Sequence, residues 1–167
     1  MRNHLAAAAA VLAVLGASLL TATPAHADER TCRGSLGAVT VDNLRVPSGA
    51  TCTLTGTKVK GTITVQGNAT LRASKVNVVG NIQAEGHTRV NVASSTVGGS
   101  IQLKQGKAAD LRSNRVTGDV QSFTNRGTQV ISSNRINGNL QCKENSPAPT
   151  GTGNVVGGNK EDQCRRL

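Results

Sequence analysis

An aliphatic residue stands two positions before and two positions after each of five successive glycines. Val59 and Ile63 flank Gly61, Val78 and Ile82 flank Gly80, Val97 and Ile101 flank Gly99, Val116 and Val120 flank Gly118, and Ile136 and Leu140 flank Gly138. Even spacing is strand spacing, because successive side chains of a pleated backbone point to opposite faces. A further aliphatic lies five residues upstream in four cases, at Leu54, Val92, Leu111 and Ile131. Five is odd, so a bend must reverse the alternation between the two inward positions. Turn-forming Thr57, Ser95, Asn114 and Asn134 occupy that gap. With Gly158 included, the glycines recur at intervals of 19, 19, 19, 20 and 20 residues. The pattern predicts an all-β solenoid of about six coils, each built of short strands joined by bends, rising roughly 4.8 Å per coil. Ile63, Ile82, Ile101, Val120 and Leu140 should then form one buried file, a core that no single repeat could make alone.

The second coil admits two registers. Regular spacing turns Val78 inward and places Asn77 just before it. A two-residue shift, matching Leu71–Val76 to Leu111–Val116, turns Val76 inward and puts Lys75 in that outer place; this option gives the better turn.

The first stretch stands outside the repeat. Arg2 precedes an apolar run from Leu5 to Leu20, and Ala25-His26-Ala27 has the small-x-small form of an export cleavage site, so cleavage is expected after Ala27. The run is short for a membrane span, and the mature product is expected to be secreted without a transmembrane segment. The organisation read from the chain is a signal peptide at 1–27, an N-terminal cap at 28–53, coils at 54–141, and a C-terminal coil and cap at 142–167.

All four cysteines fall in the expected mature chain, and their positions are informative. Cys32 and Cys52 lie about one coil apart at one end, as do Cys142 and Cys164 at the other. Stacked residues sit within the Cα range a disulfide needs, which favours Cys32 with Cys52 and Cys142 with Cys164. Such bridges would pin the terminal coils, whose strand edges otherwise fray or pair with other chains. Close Cys-x-x-Cys or Cys and His clusters are lacking, so no metal site is expected.

The segments Val46–Leu54, Gly138–Asn145 and Gly158–Cys164 resemble those of small secreted bacterial right-handed parallel β-helix proteins of unassigned function. The resemblance implies three strands per coil and a right-handed superhelix, and lends no activity. A coil of 19 or 20 residues also departs from the 18 of left-handed hexapeptide helices.

In a stack, each outward position becomes a column. Gln83, Gln102, Gln121 and Gln141, with Thr64 beneath, form the most regular one. Their amides can bond to one another as glutamine ladders do, or meet sugar hydroxyls. Thr62, Asn81, Ser100, Asp119, Asn139 and Asn159 read as ordinary polar strand or turn positions.

Charge adds a candidate surface. The expected mature chain carries 18 Lys and Arg against 9 Asp and Glu, about +9. Lys58, Arg115 and Arg135 share one column, with Lys75 joining them in the shifted register. Like charges about 5 Å apart repel by roughly 1 kcal/mol in water, less in salt, and a polyanion would relieve that. Phe123 is the one aromatic residue, so stacking platforms for specific nucleic-acid binding, or for pyranose rings, are missing.

A catalytic reading finds little to build on. Glycoside hydrolysis needs paired carboxylates and lyase chemistry an acidic calcium cluster. Asp119 has neutral column neighbours, and Asp110 lies on another face. Gly157–Asp162 occurs once and contains a lysine, unlike a repeated calcium turn. His87 follows Gly86 and is expected to be a solvent-exposed loop residue. The function expected is therefore a non-enzymatic, structural or surface-binding module without cofactor, holding an anionic cell-envelope polymer or extracellular polysaccharide through Lys58, Lys75, Arg115 and Arg135. The alternative from another class is a polysaccharide-active lyase or hydrolase.

Overall fold

The computed structural model describes residues 28–167; the signal peptide expected at 1–27 lies outside the described residues. Among the described residues, twenty-one strands of two to five residues assemble into three wholly parallel sheets of eight, six and seven strands. Each strand pairs with the strands three before and three after it in the chain, which is the connectivity of a solenoid, except in the last coil, where Val155–Val156 and Lys160–Asp162 pair with the strands two before them. Among the described residues there is no helix, and so none long and apolar enough to cross a membrane. Glu29–Thr31, Gly34–Leu36 and Thr40–Val41 contribute one strand to each sheet. They add a turn beneath the first glycine coil, so the stack has about seven turns rather than six.

The expected spine is present. In the first sheet Ile63, Ile82, Ile101, Val120 and Leu140 are register partners in unbroken succession, each at most 1% exposed. Val59, Val78, Val97, Val116 and Ile136 form the matching file of the third sheet. Leu54, Ala73, Val92, Leu111 and Ile131 form one of the second. Burying each larger aliphatic contributes about 1.5–3 kcal/mol relative to leaving it in water.

The register shift favoured for the second coil does not occur. Lys58, Asn77, Thr96, Arg115 and Arg135 are successive partners, so Asn77 and not Lys75 occupies the outer column. Thr70–Ser74 pairs residue for residue with Thr51–Thr55 and Arg89–Ala93, and moving it by two would dislocate both ladders. Val76 is buried as well, 2% exposed, but it lies one coil from Thr57 and Ser95, where other coils carry a polar corner residue.

The glycine beat has a spatial cause. None of Gly61, Gly80, Gly99, Gly118, Gly138 and Gly158 has a positive φ. What excludes a side chain is the coil below. A β-carbon on Gly99 would overlap Asn81 Oδ1 and lie 2.9 Å from the Gly80 carbonyl oxygen, and Gly118 and Gly138 stand likewise over Ser100 Oγ and Asp119 Oδ1. Those oxygens are fixed because each accepts a backbone N–H from the coil above. The N–H of Ser100 donates to Asn81 Oδ1 at 2.8 Å, that of Asp119 to Ser100 Oγ at 3.0 Å, and that of Asn139 to Asp119 Oδ1 at 2.7 Å. The column first read as ordinary polar positions is thus the clamp that closes the corner between the third and first sheets.

A second clamp runs inside the corner between the second and third sheets. Asn114, Asn134 and Asn154 are at most 7% exposed. Asn134 Oδ1 accepts the N–H and Nδ2 of Asn114, each at 3.0 Å, while Asn134 Nδ2 donates to the Leu111 carbonyl at 2.9 Å and to Asn154 Oδ1 at 3.0 Å. Asn125 and Asn145 build a similar file at the remaining corner. Both disulfides join the expected cysteines, Cys32 to Cys52 and Cys142 to Cys164, with Cα separations of 5.6 and 5.2 Å.

Candidate functional site

The corner between the second and third sheets carries the charged groups of interest on its outside. Gly56, Lys75, Ser94, Ser113, Ser133 and Gly153 follow one another at coil spacing, and all have φ between 51° and 72°. That left-handed conformation turns the chain sharply, so the next residue points inward and the one after it outward. The local sequence follows this geometry: in Ser113-Asn114-Arg115 and Ser133-Asn134-Arg135 the serine makes the bend, the asparagine enters the buried clamp and the arginine emerges.

Between the serine column and the arginine column lies a shallow groove of about 390 Å³, lined by Ser94, Thr96, Ser113, Arg115, Ser133 and Arg135 among others. Arg115 and Arg135 are register partners, exposed, and among the described residues bonded to no acidic side chain. Asp110, near in sequence, is held by Arg112 through its Oδ1. Two guanidinium groups thus share one wall of the groove with three hydroxyl groups opposite, repeating at roughly 4.8 Å. Guanidinium groups take carboxylate or phosphate oxygens bidentately, and serine hydroxyls add donors on the other side.

Of the four basic residues expected to act together, the structure brings Arg115 and Arg135 side by side. Lys75 is at this corner but in the serine column, directly beneath Ser94. Lys58 is in the arginine column, separated from Arg115 by Asn77 and Thr96. The serines are not among the residues expected from sequence; their signal is the repeated Ser-Asn-Arg tripeptide, whose asparagine reads as a turn former and whose arginine reads as a surface charge.

The glutamine column is in register as expected, with Thr64, Gln83, Gln102, Gln121 and Gln141 in succession and Glu161 above. Its bonding is uneven. Gln121 Nε2 donates to Gln141 Oε1 at 3.0 Å and Gln141 Nε2 to Glu161 Oε2 at 2.9 Å.

His87 is not the exposed loop residue expected. It is 0% exposed, inside the corner between the first and second sheets. Its ring fills the space left by Gly106 one coil above, where a β-carbon would collide with the imidazole. Neither ring nitrogen has a hydrogen-bond partner of normal geometry. Burial away from water therefore lowers its pKa from 6.5 to about 4, opposed in part by the nearby Ala84 backbone. Among the described residues, no three His, Cys, Asp or Glu side chains cluster as a metal site would require.

Compared with known proteins, the chain matches no family model, no curated protein and no solved structure.

Proposed function

We propose that this protein is a secreted, non-enzymatic β-solenoid that attaches to an anionic envelope polymer or exopolysaccharide through the groove beside Arg115 and Arg135. The observation that carries this reading is the pair of exposed guanidinium groups stacked in register without an acidic partner, facing a row of serine hydroxyls. The coils of Arg115 and Arg135 each offer one guanidinium and one serine hydroxyl, so a polymer lying along the axis would meet the same donors at both steps, with the hydroxyls of Ser94 and Thr96 below them. Further down the same corner, Lys75 beneath the serine column and Lys58 beyond Asn77 and Thr96 in the arginine column add positive charge. Contacts of this kind rest on charge and hydrogen bonds, so binding is weak, weakly selective and salt-dependent. The disulfide-bridged ends suit a protein working in an oxidising exterior.

The test is retention on immobilised polygalacturonate and on teichoic acid under a rising salt gradient. Replacing Lys58, Lys75, Arg115 and Arg135 with Gln should shift elution to markedly lower salt, with most of the shift produced by Arg115→Gln and Arg135→Gln together. Arg89→Gln, on the second sheet, should leave elution unchanged. Retention of the fourfold variant equal to that of the parent would remove the proposal.

A further inference from the structure

We infer a second binding site, for an uncharged, hydroxyl-rich glycan, on the middle strands of the first sheet. It is independent of the arginine groove and lies on a different sheet. The observation is a break in the glutamine ladder. Gln121 and Gln141 spend their amides on each other and on Glu161. Gln83 and Gln102 are register partners in the same column, yet no hydrogen bond joins them, and Gln102 does not reach Gln121. A ladder formed for stability alone would continue downward, since the spacing is identical.

The break coincides with a groove. Gln83 and Gln102 line a concavity of about 690 Å³ that also takes in Thr64, Gln66, Glu85 and Lys104. Gln66 Oε1 is occupied by the Ser48 N–H at 3.2 Å, which leaves its amide nitrogen as a further donor. Glu85 and Lys104 are opposite charges on adjacent strands in register, so together they give the groove no net charge. The surface thus offers paired donors and acceptors with little electrostatic bias. Phosphate or carboxylate polymers gain little there, whereas vicinal hydroxyls, each both donor and acceptor, can satisfy an amide's two ends. The rungs repeat at roughly 4.8 Å, close to the length of one sugar ring, so successive residues of an extended glycan would meet successive amides.

The test is NMR titration of the ¹⁵N-labelled protein with cellohexaose and with chitohexaose, read at the glutamine side-chain amides. Saturable shifts at Gln83 and Gln102 with either oligomer, persisting at high salt and leaving Gln141 in place, are expected. Gln83→Leu with Gln102→Leu should weaken that binding about tenfold or more, the loss of two neutral hydrogen-bonding groups, while Gln141→Leu leaves it unchanged. No shift with either oligomer overturns the inference. So does binding that disappears with salt, which would belong to the arginine groove, and so does full binding by the double leucine variant.

Discussion

His87 gives this solenoid a stability that depends on pH in a calculable way. The imidazole is sealed inside a corner with both nitrogens unpartnered, and its pKa falls from 6.5 to about 4. Above pH 6.5 the ring is neutral in both folded and unfolded chains, and its contribution is fully present. As the pH falls from 6.5 towards 4, the unfolded chain takes up a proton that the folded chain refuses, and stability is lost. Below about 4 both forms are protonated and this loss stops. The gap corresponds to about 3 kcal/mol, or roughly 10 °C in Tm for a chain of this size. Urea unfolding across this pH window measures the loss, and an NMR titration of the His87 ring locates its pKa directly. His87→Ala creates a cavity and lowers stability at neutral pH, but it should flatten the decline between pH 6.5 and 4 by the same 3 kcal/mol. The Gly106 contact supplies a second arm. Gly106→Asn should be severely destabilising while the ring is present, and much less so combined with His87→Ala, which gives the new amide room. Equal slopes for the parent and the His87→Ala variant, or a ring that titrates near 6.5, would show that His87 does not set this pH dependence.

Three further outcomes follow from the corners and ends. Asn134→Leu strands the buried N–H of Asn114 and the Leu111 carbonyl and should cost about 2–4 kcal/mol, seen as a lower urea midpoint with unchanged sheet content by circular dichroism. Gly99→Ala drives a methyl into Asn81 Oδ1 and should cost about 1–3 kcal/mol; Asn81→Gly in the same chain should recover part of it, a coupling that a double-mutant cycle reads. Removing either disulfide by Cys→Ser pairs should cost on the order of 3 kcal/mol. Hydrogen exchange should then rise first in the terminal coil that lost its bridge.

The spine, the bends and both disulfides were legible in the sequence because each repeats at a fixed interval, and stacking turns an interval into a contact. What failed to be legible is what crosses the interval unevenly. Val76 looked like a member of the aliphatic file because it is aliphatic. It is instead an apolar substitute in a column of polar corner residues, and only the backbone register of Thr70–Ser74 separates the two assignments. His87 follows a glycine in a bend, which suggests exposure, but its burial is decided by Gly106, one coil away, whose missing β-carbon makes the room. Asp119 and its column neighbours were recognised as polar, while their partners are backbone N–H groups that every sequence contains and none displays.

The engagement of polar side chains with the backbone narrows where binding can reside. A solenoid this short of aromatic and acidic groups must satisfy many backbone groups at its bends, and it does so with the side chains that would otherwise suggest chemistry. Asp119 accepts an N–H, the asparagines saturate one another and nearby carbonyls, and His87 is neutral and enclosed. Groups so engaged cannot meet a ligand without loosening the coil they clamp. What is left for binding is outward side chains with unspent donors, and of these Arg115 with Arg135 at one corner and Gln83 with Gln102 on the first sheet are stacked in register beside a groove. Both sets lie in grooves parallel to the solenoid axis and repeat at the strand interval. A periodic surface favours a periodic partner, because each added coil contributes a like contact while the ordering entropy of the partner is shared along its length. On this reasoning affinity should rise steeply with oligomer length up to the span of the groove, about two to three rungs, and level off beyond it.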